Sequence, residues 1–125
     1  MAKIFILEDD ITRIDWFRKE FANHQLFIAM DADGGKQAVH CEKYDLMFLD
    51  HDLGGKVFVN SEDSNTGFQV AKEILKSRNA GTPVVIHSWN PIGTKNIASL
   101  LHGAIKKQFG NFKKQDFYFH EPDVQ

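Results

Sequence analysis

Several features that direct proteins to other environments are missing from this sequence. Its 125 residues include a single cysteine, Cys41, which excludes an intrachain disulfide and is typical of a reducing compartment. No apolar run approaches the ~20 residues of a transmembrane helix, and Met1-Ala2-Lys3 does not begin a signal peptide. The net charge of −2 lacks the basic excess of general DNA-binding or membrane-binding proteins. We therefore expect a cytoplasmic protein.

The apolar residues form short continuous runs, which are typical of strands buried on both faces of a parallel sheet. Such runs predict strands at 3–7, 25–30, 46–49, 83–86 and 117–119. Helical stripes separate them at 11–21, around 38–39, at 67–75 and from Asn90 to Ile105, the last ending by Gly110. Asp10 and Asn90-Pro91 have the chemistry of helix starts. Alternating strands and helices predict one α/β domain over residues 1–125, a doubly wound parallel sheet of about five strands.

One connection is longer than this architecture needs. Residues 53–65 link the third strand to its helix, where two to six residues are usual. Two interpretations stay open: a tolerated surface insertion, or a functional segment whose middle, 56–59, is a small strand or a flap over a pocket.

Acidic residues follow the first and third predicted strands. In an open parallel sheet, ligands bind outside the carboxyl ends of the strands, so these side chains are expected to converge. Converging carboxylates repel one another unless a cation neutralises them, and Mg²⁺ or Mn²⁺ bound through oxygens is the simplest solution. The predicted metal ligands are Glu8, Asp9, Asp50 and Asp52. The alternative is that some acids cap helices, as Asp10 and Asp9 are placed to do.

Two histidines and several polar residues complete the predicted site. His51 and His87 follow neighbouring strand ends; they are either structural hydrogen bonders or an acid–base pair for phosphoester chemistry. Ser88 and Lys56, with a backbone nest at Gly54 and Gly55, are candidate phosphate contacts, although Gly-Gly after a strand is usually a turn. Trp89 either stacks a base or forms a wall of the pocket.

Three segments, in order and correctly spaced, resemble the receiver domain of two-component response regulators over about residues 3–105. Residues 3–10 resemble the first strand and the acidic pair that holds Mg²⁺ in that family. Residues 45–50 resemble the strand that ends in the phospho-accepting aspartate, which places Asp50 at that position. Residues 83–88 resemble the fourth strand, with Ser88 where the family keeps Thr or Ser. The resemblance implies a flavodoxin-like receiver fold.

The sequence also departs from that family. His51-Asp52-Leu53-Gly54-Gly55 replaces a Met-Pro-rich loop. No lysine closes the strand predicted at 117–119, and we expect the last helix to be lacking. The segments 50–55 and 87–90 are instead similar to a divergent branch, the cyclic-phosphate processing receiver domains, which are thought to act on cyclic phosphate ends of nucleotides or RNA.

These observations support three functional hypotheses. The first is a metal-dependent phosphoesterase whose substrate is a cyclic phosphate of a nucleotide or RNA end, with His51, His87 and Asp50 as catalytic groups. The alternative is a stand-alone receiver phosphorylated on Asp50 in two-component signalling. The third is a binding module without catalysis. The predicted missing lysine and the added histidines favour the enzyme.

Overall fold

The computed structural model describes residues 1–108 of the chain. Within them, strands and helices alternate throughout. The strands are β1 (Lys3–Leu7), β2 (Gln25–Ala29), β3 (Leu46–Leu49), β4 (Val84–Ile86) and β5 (Ile105–Lys106). The helices are α1 (Ile11–Glu20), α2 (Ala32–Cys41), α3 (Gly67–Leu75) and α4 (Pro91–Leu100). This part of the chain has no fifth helix, and none of its helices is long and apolar enough to cross a bilayer.

All five strands are parallel and lie in the order β2-β1-β3-β4-β5. This is the strand order of flavodoxin-like doubly wound folds. The central strands β1 and β3 are continuously apolar because helices cover both of their faces. Their bounds agree with the prediction, whereas β2 and β4 are each one residue shorter than predicted.

Two hydrophobic cores lie on opposite faces of the sheet. The larger packs α2, α3 and α4 against alternate strand residues such as Leu7, Leu49 and Ile86. The smaller packs α1 against the intervening residues, with the ring centroids of Phe17 and Phe48 4.9 Å apart. Because the strands are parallel, the residues that follow them lie at one edge of the sheet.

Two predicted helix starts are confirmed. The Asp10 carboxylate accepts the backbone N–H of Arg13 at 3.0 Å at the start of α1. At the start of α4, the Asn90 side chain accepts the N–H of Gly93 at 2.9 Å, and Pro91 is the first helical residue. Each helix therefore begins within a few residues of a strand end, so that its first turn borders the same edge of the sheet.

The chain after α4 differs from the prediction. The helix ends at Leu100 rather than continuing to Ile105: Leu101 leaves helical geometry with φ of −107° and ψ of 81°, and Gly103, with φ of 87°, then turns the chain. Ile105 instead begins β5, which pairs with β4. The predicted strand at 117–119 and the predicted helix end at Gly110 lie outside the described residues.

Candidate functional site at the carboxyl edge of the sheet

The residues directly after the strands form a row across the sheet. Leu7, Leu49, Ile86 and Lys106 are the last paired positions of four adjacent strands. The parallel ladder continues one residue further, through backbone hydrogen bonds of 2.9 to 3.1 Å donated by the residues that follow. The next row is Glu8, Asp50, His87 and Lys107. Two acidic residues, a histidine and a lysine therefore occupy one backbone row at the edge where ligands bind in this fold class.

Lys107 corrects one prediction from the sequence. The expectation that no lysine closes the fifth strand is wrong, since it depended on a strand at 117–119. The fifth strand of the described sheet is Ile105–Lys106, and the Lys107 N–H bonds the Ile86 carbonyl at 2.9 Å. The Lys107 side chain lines a cavity between α4 and β5, which shares Ser88 with the central cleft.

Glu8 is fully buried and its carboxylate is saturated with hydrogen bonds. Arg13 donates to it from Nε at 2.8 Å and from Nη2 at 3.1 Å, and His87 Nε2 lies 3.0 Å from Oε1. Two backbone N–H groups, of Asp9 and Asp10, bind Oε2 at 3.0 Å. Burial alone would raise the pKa of Glu8, but its hydrogen bonds with His87 and Arg13 lower it to about 2. Glu8 is therefore an anion already neutralised by the chain itself.

Asp50 is also buried, but its carboxylate differs from that of Glu8 in its hydrogen bonding. It is 6% exposed, and its side chain accepts no hydrogen bond within residues 1–108. The nearest cation is the Arg13 guanidinium, with Nη2 at 3.7 Å from Oδ2. Burial raises the pKa of Asp50 to about 6; His87 opposes this rise and the Glu8 charge adds to it. A buried carboxylate in this condition is suited to a cation or to a reacting group.

These groups surround a cleft of about 320 Å³ at the edge of the sheet. Seven of its lining residues are predicted metal ligands, phosphate contacts or catalytic groups: Asp9, Asp50, Asp52, Gly55, Lys56, His87 and Ser88. The other four are Asp10, Arg13, Val57 and Trp89. Of these, Trp89 was predicted as a wall or base-stacking residue, and Val57 lies in the segment predicted as a small strand or a flap. Glu8 lies beneath this lining, and Gly54 and His51 are not part of it.

Asp52 is engaged in holding the long connection 53–65. Its carboxylate accepts hydrogen bonds from the backbone N–H groups of Phe58 at 2.6 Å and Val59 at 3.2 Å. Asn90 Nδ2 adds a third at 3.0 Å, and His51 Nδ1 lies 2.7 Å away. Burial would raise the pKa of Asp52, but the hydrogen bonds with His51 and Asn90 lower it. These contacts favour a structural role for Asp52 over the metal-ligand role predicted from the sequence.

His51 is fully buried within the same network. Its Nδ1 lies beside Asp52, its Nε2 is 2.8 Å from the Ser61 hydroxyl, and its ring packs against Gly93. Because the imidazole has both nitrogens engaged and does not line the cleft, its position favours a structural role over the predicted acid–base role. The connection 53–65 is thus anchored by its neighbours, and it contains no strand; Asp52 and Thr66 form one isolated antiparallel bridge at its base.

Gly54 and Gly55 act on the cleft through Asp9. Both glycines have φ of 74°, a backbone conformation that residues other than glycine rarely adopt. This turn brings the Gly55 N–H to Asp9 Oδ2 at 2.8 Å. The predicted backbone nest is therefore occupied in part by a carboxylate of the chain itself, and Lys56 follows it directly into the cleft wall.

The donor chemistry fits a hard divalent cation. Glu8, Asp50 and His87 offer ligand atoms that all lie within 4.8 Å of one another, and Asp9 lines the same cleft. Within residues 1–108, the Asp50 carboxylate accepts no hydrogen bond and that of Asp9 accepts one, from Gly55, whereas Glu8 is shared between Arg13 and His87. Carboxylate oxygens of this kind suit Mg²⁺. Asp50 and Asp9 are therefore the best placed ligands, with Glu8 behind them.

Arg13 is the functional residue that the sequence analysis missed. A signal for it exists: it lies three residues after the helix cap Asp10, in the first turn of α1. Side chains in a helix tilt toward its N-terminus, so an arginine there reaches back to the strand end that precedes it. Its position five residues after Glu8 produces the ion pair.

The fold and the acidic edge of the sheet together define a receiver domain of the response-regulator type. Comparison with known families identifies the branch. The family model of the cyclic-phosphate processing receiver domain matches residues 4–103, and the chain belongs to that family. No curated protein sequence matches the chain.

Solved structures agree on the fold. The phosphorylated cyanobacterial phytochrome response regulator RcpA is 22% identical, with a TM-score of 0.68 over 86% of this chain and 79% of its own. The receiver domain of the sensor histidine kinase PA1611 from Pseudomonas aeruginosa, with a magnesium ion in its active site cleft, is 15% identical, with a TM-score of 0.70 over 92% and 89%. TrrA from Thermotoga maritima, in complex with Mg²⁺ and BeF, is 17% identical, with a TM-score of 0.65 over 88% and 90%. The predicted flavodoxin-like receiver fold is confirmed.

Proposed function

We propose that this chain is a metal-dependent phosphoesterase that hydrolyses cyclic phosphates of nucleotides or RNA ends. The observation that carries this proposal is Asp50, a buried carboxylate without a hydrogen bond in the described residues, which opens onto a cleft bordered by cationic and hydroxyl groups. The family supplies the substrate class, since its description names cyclic phosphates.

Asp50 and Asp9 would hold the cation, with Glu8 contributing from beneath. The oxygen donors and the two solved structures that hold magnesium support Mg²⁺, and neither of these two names Mn²⁺. When bound, the cation supplies neutralisation of the charge that develops on the phosphoryl oxygens. Asp52 has a smaller part in this proposal than in the sequence analysis, because four groups of the chain already occupy its carboxylate.

Three residues of the chain are placed to bind the phosphoryl group. The Ser88 oxygen accepts the Asn90 N–H at 3.0 Å, so its hydroxyl hydrogen remains available for a phosphoryl oxygen. Lys56 and Arg13 line the same cleft and provide positive charge. Gly54 and Gly55 contribute indirectly, because their turn orients Asp9 and positions Lys56.

His87 is the acid–base group in this mechanism. Its ring packs on Phe17 at 5.5 Å between centroids, and its Nε2 is bonded to Glu8, which fixes its orientation. In the reaction, a water oxygen forms a bond to phosphorus and the ring P–O bond breaks. His87 accepts the proton of the water and passes a proton to the leaving sugar oxygen, which leaves a phosphate monoester.

A second candidate function is favoured by one specific observation. Lys107 directly follows β5 in the same backbone row as Asp50, so a lysine stands at the end of the fifth strand, where none was expected from the sequence. A stand-alone receiver phosphorylated on Asp50 therefore remains the alternative.

Phosphorus NMR with Mg²⁺ distinguishes the two functions. We expect a 2′,3′-cyclic nucleotide to be converted into a monoester, a 3′,5′-cyclic nucleotide and a cyclic dinucleotide serving as comparison substrates. His87→Gln should slow the reaction by about 10²–10⁴-fold, the usual contribution of a positioned acid–base group. Asp50→Asn should abolish it, while Asp33→Asn, the same change on the exposed face of α2, should not affect it.

Two results would contradict the enzyme. One is that all three substrates stay intact. The other is that acetyl phosphate and Mg²⁺ add one phosphoryl group to the intact mass of the wild-type protein, but not to that of Asp50→Asn, which would establish the receiver alternative.

A further inference from the structure

The cleft changes its chemistry from its floor to its mouth. Its inner residues are charged or polar, with Asp50, His87 and Ser88 all at most 6% exposed. Its outer wall includes two large apolar side chains in contact with solvent: Trp89, which is 53% exposed, and Val57, which is 77% exposed. With the proposed cation bound at Asp50, a ligand that matches both zones has an anionic group at one end and a flat apolar group at the other.

The two residues of the apolar mouth, Trp89 and Val57, lie next to backbone groups that hydrogen bonds hold in place. Trp89 lies between Ser88 and Asn90, each 4% exposed, and Asn90 caps α4. Val57 precedes Phe58 and Val59, whose N–H groups are both held by Asp52. Phe58 is 71% exposed and has φ of 52°, a conformation that is unfavourable for an aromatic residue. The backbone that carries these exposed side chains is therefore held by specific contacts.

We propose that Trp89 binds the nucleobase of the substrate, with Val57 on the same cleft contacting the base from the connection 53–65. This inference rests on the proposed function and narrows its substrate class to cyclic phosphates that carry a base. Ser88 and Trp89 are consecutive, with Cα atoms about 3.8 Å apart, so one short segment presents a hydroxyl to the phosphate and an indole to the base. Indole rings stack on the faces of nucleobases, and this contact can form with any of the bases.

Tryptophan fluorescence tests this assignment without turnover. The chain has two tryptophans, so Trp16→Phe leaves Trp89 as the only tryptophan. With Mg²⁺ present, we expect titration with the product nucleoside monophosphate to quench this emission, while a ribose phosphate without a base does not. Calorimetry then compares single variants of the wild-type chain. Trp89→Ala should bind the nucleotide about 5- to 100-fold more weakly, the loss expected when base stacking is removed. Trp89→Phe should bind it with nearly the wild-type affinity.

A matched control separates this effect from a general loss of apolar surface. Ile92 is 72% exposed on α4 and does not line the cleft, so Ile92→Ala should bind the nucleotide as the wild type does. Equal binding of the nucleotide and the base-free phosphate by the wild type would overturn the inference. So would unchanged nucleotide binding by Trp89→Ala, because the indole would then make no contact with the base. The proposed hydrolysis has its own test, since cyclic phosphates with and without a base are followed separately by phosphorus NMR.

Discussion

Glu8 and Asp50 show that burial does not decide the state of a carboxylate by itself. Both lie at adjacent strand ends and are almost completely inaccessible. Glu8 receives five hydrogen bonds and has a pKa near 2, whereas Asp50 receives none within residues 1–108 and has a pKa near 6. The difference is caused by hydrogen bonding to the charged form, and it separates a structural anion from a reactive one.

Arg13 is positioned to compete with a cation. Its Nη2 is 3.7 Å from Asp50 Oδ2, so a divalent ion at Asp50 experiences repulsion from the guanidinium. We expect Arg13→Gln to raise the affinity for Mg²⁺ by about tenfold, or ~1.4 kcal/mol, and to weaken the binding of a phosphate ligand. Isothermal titration calorimetry measures both effects.

The control for this prediction is Arg18→Gln, because Arg18 is exposed in the last turns of α1 and does not line the cleft. It should leave both affinities unchanged. An Arg13→Gln variant that binds Mg²⁺ no more tightly than the wild type would show that the guanidinium does not oppose the cation.

At the scale of elements, the connection 53–65 and the helix α4 depend on each other. His51 lies between them: it bonds Asp52 and Ser61 on one side and packs on Gly93 of α4 on the other. Asn90, at the start of α4, bonds both Asp52 and the Val59 carbonyl. The segment that carries Lys56 and Val57 is consequently held over the cleft by the same helix start that follows Trp89.

Gly93→Ala tests this packing, because helix propensity and packing predict opposite effects. Alanine is the better helix former by about 1 kcal/mol. A Cβ atom at position 93, however, would overlap the Cγ, Nδ1 and Cδ2 atoms of the buried His51 ring. Since overpacking typically costs about 1–3 kcal/mol and the His51–Asp52 contact would shift as well, we expect a lower free energy of unfolding in urea denaturation.

Gly81→Ala provides the comparison. Gly81 is exposed, and a Cβ atom there meets no heavy atom within 4 Å. This variant should be as stable as the wild type or slightly more stable. If Gly93→Ala matches or exceeds the stability of Gly81→Ala, the ring of His51 is not held against α4.

For the whole molecule, the unusual pKa of Asp50 makes stability depend on pH and on cations. Burial raises this pKa from its ordinary 3.8 to about 6, so the folded protein prefers the protonated form. The corresponding stability is present below about pH 4 and is lost as the pH rises through 6. In a metal-free protein at pH 7, Asp50→Asn should therefore increase the free energy of unfolding by about 2–3 kcal/mol.

Thermal melting in a chelator at pH 4 and pH 7 measures this difference. The variant should be more stable than the wild type at pH 7, and the two should converge at pH 4. Mg²⁺ should stabilise the wild type and Asp33→Asn but not Asp50→Asn. An Asp50→Asn protein that melts below the wild type in a chelator at pH 7 would mean that the Asp50 carboxylate is stabilised by its surroundings.

The sequence by itself determined the elements whose signals are local. Continuous apolar runs predicted β1 and β3 with their observed bounds, the helical stripe predicted α3, and the cap residues Asp10 and Asn90 predicted two helix starts. The convergence of Asp9, Asp50, His87 and Ser88 on one cleft followed as well, because parallel strands end at a common edge.

Only the tertiary structure decided the contacts that depend on register and packing. The bond between His87 and Glu8 joins residues 79 positions apart, and the strand β5 has only two residues, which are recognisable through their pairing with β4. The engagement of His51 likewise depends on Ser61 and Gly93, which no local pattern brings beside it. Periodicity records which face of an element is buried, whereas the partners that a buried side chain meets are set by how the elements pack together.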